Sequence, residues 1–163
     1  MNKQGFTLVE VLVAIVIIGI AFVSLIAANN SCTTTNGYGV ELSTSEFLIE
    51  QIRELTRLLP VFDPDSGTTL DRWTTFGPEE AVLVNYDDLD DFDGAVFSPP
   101  INSERASLSD FSAFSQQVAV ENVSASNFQT VVADGTTAFV RVTVTIFLNS
   151  ERVSSASWIR ATY

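Results

Sequence analysis

"KQGFTLVEVLVAIVIIGIAFVSLIAA", residues 3–28, decides how the chain is built. No charged residue occurs from Val11 to Ala28. At about 1.5 Å per helical residue that run covers roughly 27 Å, close to the hydrocarbon thickness of a bilayer. With Phe6–Val9 added, it is long enough to span. Yet it carries an acid, Glu10, near its start. A carboxylate at mid-bilayer costs about 2.5–3.5 kcal/mol on insertion scales, so Glu10 calls for a reason.

Three kinds of segment compete for this stretch. A secretory signal peptide wants a basic n-region, a shorter apolar core and a small-x-small cleavage site. Here Lys3 is the one basic residue before the run, and the best site, after Ala28, has Ile26 at its −3 position. A lipoprotein signal ending at Cys32 would put Asn29 where leucine belongs. A retained helix that anchors the chain is the reading that Glu10 favours, because neither signal type has a use for an acid there.

Composition narrows the rest. The 163 residues suffice for one modest domain and an anchoring segment. Eight basic residues against 20 acidic ones give a net charge of −12. That balance argues against nucleic acid as a partner, which demands a basic patch, and against an electrostatic hold on anionic lipid. The chain has no histidine, which removes the commonest general base and metal ligand and every Ser/His/Asp or Cys/His arrangement. Its single cysteine, Cys32, allows no internal disulfide. A small apolar residue near the membrane exit is the reading for Cys32, ahead of reactive chemistry.

The run Gly5-Phe6-Thr7-Leu8-Val9-Glu10, followed at once by an uncharged helix, resembles the processing motif of type IV pilins and type II secretion pseudopilins. The resemblance covers about the first thirty residues. It implies cleavage after Gly5 by a prepilin peptidase, N-methylation of Phe6 as the new terminus, and a filament-assembly role for Glu10. It further implies major and minor pilins or pseudopilins and an inner-membrane assembly platform as partners. The chain would be single-pass in the inner membrane with its C-terminal domain extracytoplasmic, and would leave for a filament on assembly. The segments expected are a leader over 1–5, a transmembrane and assembly helix over 6–29, a second helical half over 30–59, and a periplasmic β-rich domain over 60–163.

Physics makes Glu10 sensible in that setting. Cleavage would create a cation at Phe6, at a helix end whose dipole also favours an acid. A buried charge is tolerable when paired, so the glutamate of one subunit and the amine of the next can set a register. The alternative is an acid that serves its own helix terminus. A rival of another class is a membrane-anchored binding module or enzyme whose N-terminus matches by chance.

Further on, "NNSCTTTNGYG" (29–39) is weak in helix propensity and suggests a bend or partly melted stretch near residues 30–39. Leu42, Leu48, Ile49, Ile52, Leu55 and Leu59 then recur at three- and four-residue steps, the mark of an amphipathic helix started by Ser43 or Ser45 and ended by Pro60. Residues 61–77 are punctuated by Pro, Gly and Asp and read as irregular, and "EAVLVNY" (80–86) reads as a short strand. Strands are expected over 115–123, 138–148 and 151–163, the last two joined as a hairpin through Asn149-Ser150. Val140, Val142, Val144, Ile146 and Leu148 should share one face, with Arg141, Thr143 and Thr145 on the other. Together these predict an α+β roll with a helix on a C-terminal antiparallel sheet, and the resemblance implies its pilin-like form, in which one long N-terminal helix packs on that sheet.

No cofactor is demanded. The one candidate site is the acidic run Asp87, Asp88, Asp90, Asp91 and Asp93, which can supply oxygens to calcium. An EF-hand register fails, since setting Gly94 at the sixth position puts Leu89 at the first and Pro100 at the twelfth. A solvated acidic loop is the preferred reading, with calcium the alternative. The run "YDDLDDFDG" (86–94) also resembles a segment of minor pilins of the MSHA D type. Minor rather than major status is expected, because no disulfide-closed C-terminal loop is possible and an acidic loop repeats poorly along a tight helix of subunits.

Overall fold

The computed structural model describes residues 5–61 and 80–161. The leader residues 1–4, all but the first residue of the irregular stretch expected over 61–77, and the last two residues of the expected final strand lie outside them. One helix, α1, runs from Leu8 to Thr56. Its start is fixed by a capping box of the T-x-x-E type: the Glu10 amide donates to Thr7 Oγ1 at 3.3 Å, and the Glu10 carboxylate reaches back to Thr7.

The helix is unbroken through residues 30–39, where the sequence suggested a bend or melted stretch. The reason lies in the threonines. Thr33, Thr34 and Thr35 each donate a hydroxyl to the carbonyl four residues back, at 2.9–3.0 Å. Those groups are thereby satisfied without leaving the helix. Ser43 and Ser45 accordingly sit inside the helix rather than at a cap, and Ser45 is buried. The helix ends at Thr56, three residues before the expected Leu59.

The chain divides into two units, Met1–Glu41 and Leu42–Tyr163. In the first, every described residue up to Val40 is exposed. The second holds the core and the sheet. Its strands are β1 (Val96–Phe97), β2 (Phe114–Ser124), β3 (Asn127–Val131), β4 (Phe139–Leu148) and β5 (Glu151–Ala161). All pairings are antiparallel, in the order β1-β2-β4-β5, with β3 paired to β2.

The three expected strands are found as β2, β4 and β5. Leu148 pairs with Glu151 across Asn149 and Ser150, whose φ angles of 50° and 71° are the left-handed pair that a two-residue hairpin turn requires. Val140, Val142, Val144 and Ile146 are fully buried, as the alternation predicts. Leu148 is only half-buried, because a register shift between Ile146 and Phe147 interrupts the pleat. Strands β1 and β3 were not expected. "EAVLVNY" is not a strand either: Leu83–Asn85 form a 3₁₀ turn.

Leu48, Ile49 and Ile52 of α1 pack in one cluster with Val118 and Val120 of β2 and the four buried residues of β4. This is the helix-on-sheet arrangement of an α+β fold. Gln116, fully buried on β2, ties the layers together. Its amide nitrogen donates to the Leu48 carbonyl at 2.9 Å and the Ile101 carbonyl at 3.1 Å, and its oxygen accepts from the Ile101 amide at 2.8 Å. At the helix C-terminus the Arg160 guanidinium donates to the carbonyls of Thr56 and Leu59 at 2.8 and 2.9 Å. Those last carbonyls have no partner in the helix, and a cation there also suits the dipole.

Candidate functional site

Two regions carry the residues singled out from sequence. The first is the N-terminus of α1. Gly5 and Phe6 precede the helix, and Phe6 is 86% exposed, so the peptide bond between them is open to an enzyme. Glu10 Oε2 accepts from the Thr7 amide and from Thr7 Oγ1, both at 3.0 Å. The structure thus places Glu10 on its own helix terminus, as the self-serving alternative requires. Both bonds fall on Oε2; Oε1 accepts none among the described residues. Beyond Glu10, α1 is long and apolar enough to cross a membrane.

The second region is the acidic loop, and here the solvated reading is corrected. Asp88, Asp90 and Asp91 are buried. The cause is the apolar residues interleaved with them. Leu89 and Phe92 are both fully buried, and Phe92 meets the Tyr86 ring edge-on at 5.1 Å. Burying a leucine or phenylalanine side chain stabilises by about 1.5–3 kcal/mol each, and the intervening aspartates are carried in with them. The Leu89 amide also donates to the Pro60 carbonyl at 3.0 Å, fastening the loop to the chain just past α1. Arg105 holds the preceding turn by donating to the carbonyls of Val84 and Tyr86.

Buried carboxylates need donors. Asp91 Oδ2 accepts from the Asp87 and Asp88 amides at 2.9 and 3.3 Å, and Asp88 Oδ1 accepts from the Asp91 amide at 3.1 Å. Asp93 points elsewhere: its Oδ1 accepts from the Val120 amide of β2 at 2.8 Å, a structural tie. Asp90 opens the 3₁₀ turn Asp90–Phe92.

What the fold gathers is therefore not the five aspartates of the sequence motif. One carboxylate oxygen from each of Glu80, Asp87 and Asp91 lies within 4.8 Å of the others. Glu80 was missed from sequence, because an expected strand separated it from the aspartates; the 3₁₀ turn brings it back. The negative potential of this group is felt by its members. A hydrogen bond to Asp91, then burial and the Asp91 charge, push the Glu80 carboxyl up to about 7. Tyr86 is raised by burial first and then by the charges of Asp91 and Glu80.

A comparison with protein families matches residues 1–26 to the prokaryotic N-terminal methylation motif. The match supports a type IV pilin or pseudopilin-like family, in which subunits assemble with one another and associate with membrane through the N-terminal helix. Neither a curated protein nor a solved structure matches the chain.

Proposed function

We propose that this chain is a minor pilin or minor pseudopilin: a structural, non-enzymatic subunit anchored in the inner membrane by residues 6–29 and later drawn into a filament. The observation that carries the reading is the Gly5–Glu10 motif at the head of a fully exposed apolar helix. Twelve large apolar side chains between Leu8 and Val23 stand more than 45% exposed. At roughly 25 cal/mol per Å2 of apolar surface, such a helix requires lipid or other helices around it.

The second oxygen of the Glu10 carboxylate supports an assembly role for this residue. Cleavage after Gly5 places an amine on Phe6, next to the residue that already holds the Glu10 carboxylate. With Oε2 on Thr7, Oε1 can receive the amine of a neighbouring subunit, so the capping box orients the acid before assembly. The absence of a disulfide-closed loop supports minor status. The other reason for it, the charge of the acidic loop, loses force because three of the five aspartates are buried.

Intact mass of the membrane-extracted protein tests the reading. Loss of residues 1–5 with the gain of one methyl group supports it; a chain that keeps Met1 overturns it in favour of an anchored binding module or enzyme. Gly5→Ala should block processing. Glu10→Ala should be processed yet fail to co-purify with filaments, and normal co-purification would remove the assigned role.

A further inference from the structure

We infer that β5, the open edge of the sheet, pairs antiparallel with β5 of a second copy of this chain about a two-fold axis at Ser157. The inference does not rest on the filament reading, since no residue of the N-terminal motif enters it. Its starting point is a contrast between the two ends of the sheet. One end is blunted: β1 is two residues long and is followed by Ser98-Pro99-Pro100. The other is β5, 11 residues long and paired among the described residues with β4 alone. An open edge presents a row of unpaired backbone donors and acceptors, which proteins ordinarily guard with charge, proline or a bulge. The register shift of β5 lies close to its start, opposite Ile146 and Phe147, and Val153–Ile159 carry neither charge nor proline. Such an edge is built to accept a strand.

The side chains of β5 point to a second β5 as the occupant. Ser154, Ala156, Trp158 and Arg160 pair with the buried Ile146, Val144, Val142 and Val140 of β4, so they share the face that α1 covers. Ser155, Ser157 and Ile159 lie on the opposite face. Antiparallel pairing about Ser157 keeps both faces aligned between the copies. Ser154 then stands opposite Arg160 of the second copy, Ala156 opposite Trp158, Ser155 opposite Ile159, and Ser157 opposite its own counterpart. Every large residue meets a small one.

Charge agrees with this choice. Two chains of net charge −12 repel one another over most of their surface. Along β5 they do not. Ser154 Oγ donates to Glu46 Oε1 at 3.1 Å, Arg53 lies over the Trp158 ring at 4.8 Å, and Glu50 pairs with Arg53. With Arg160, the seam therefore holds two acids and two arginines. Across the axis, Arg160 of each copy comes beside the Ser154 hydroxyl that holds the other copy's Glu46, which makes two symmetric contacts of opposite charge. Arg160 uses two donors on the Thr56 and Leu59 carbonyls, and a guanidinium has five. Glu46 lies at Ser154 and Thr56 at Arg160, so this part of α1 runs in the direction of β5 and the pair sets the two helix segments antiparallel. Subunits of one filament share one direction, so under the filament reading the pair links copies of two opposed filaments.

The test uses the full chain in detergent, with Cys32→Ser so that an introduced cysteine is the one thiol. Opposed residues of an antiparallel pair have Cα atoms about 4.5–5.5 Å apart, inside the roughly 4.4–6.8 Å that a disulfide spans. Under mild oxidation Ser157→Cys should give a crosslinked dimer on the order of tenfold faster than Ser155→Cys, which faces Ile159, or Gln117→Cys, exposed on the interior strand β2. Sedimentation of the parent chain in density-matched detergent should show a dimer that dissociates on dilution. Glu46→Arg, at an exposed position, reverses two contacts per dimer and should weaken it on the order of tenfold. Glu104→Arg makes the same charge change on an exposed loop away from β5 and should leave the dimer as it is. A parent chain that stays monomeric at the highest concentration reached overturns the pairing. So does crosslinking of Ser157→Cys no faster than the other two, or equal dissociation of both charge variants.

Discussion

The two ends of α1 share one backbone conformation and almost nothing else. Up to Val40 every described residue is exposed and the apolar side chains surround the axis. Beyond Leu42 the apolar residues narrow to a stripe, and Ser45, Leu48, Ile49, Ile52 and Thr56 are buried. Helical hydrogen bonding does not distinguish the halves; the angular distribution of apolar side chains does. The stripe finds its partner in this chain's own sheet. The all-round surface meets none among the described residues, and the partner it requires is lipid or other helices.

The contrast can be broken most directly by truncating one isoleucine in each half. Ile52→Ala, in the core, should cost about 2–5 kcal/mol of stability through lost burial and the cavity left behind. Ile18→Ala, in the exposed half, should leave the denaturation midpoint of the detergent-held chain unchanged. Equal losses would erase the distinction. A smaller effect sharpens it at the helix end. Arg160→Met keeps the length of the side chain but withdraws both donors from Thr56 and Leu59, and should cost about 1–2 kcal/mol in urea unfolding. No change would mean that water replaces Arg160 without penalty. Smallest is Gly37→Ala with Gly39→Ala, where an added Cβ meets nothing within 4 Å. Each should stabilise the local helix by up to about 1 kcal/mol, slowing amide exchange over residues 30–40 while the midpoint of the domain stays put. A shifted midpoint would show the two halves to be energetically one unit.

The same contrast explains what was legible in the sequence. Periodicity is readable where one face is buried and the other is not. That is why the Leu48–Ile52 stripe, the alternation of β4 and the Asn149-Ser150 hairpin were foreseen. Propensity alone misled over residues 30–39, because hydroxyl groups that usually compete with a helix here bond within it. The acidic loop misled for the opposite reason. Its charges dominate the composition, yet Leu89 and Phe92, three residues apart, decide its burial. Glu80 had no local signal at all; only the 3₁₀ turn at Leu83–Asn85 brings it to Asp91. In the N-terminal motif, Gly5, Phe6 and Glu10 were singled out from sequence, but the hold of Thr7 on Glu10 was not.

The bond from Arg160 to Thr56 spans 104 residues, and that of Gln116 to Leu48 spans 68. These separations set an order in time. A chain made from its N-terminus has the exposed half of α1 available long before β5 exists, whereas Leu48 and Ile52 cannot be covered until the sheet has been made. Anchoring can therefore precede folding. During that interval the apolar stripe beyond Leu42 is bare, and it is the arrival of the last strand that withdraws it from chaperones and proteases.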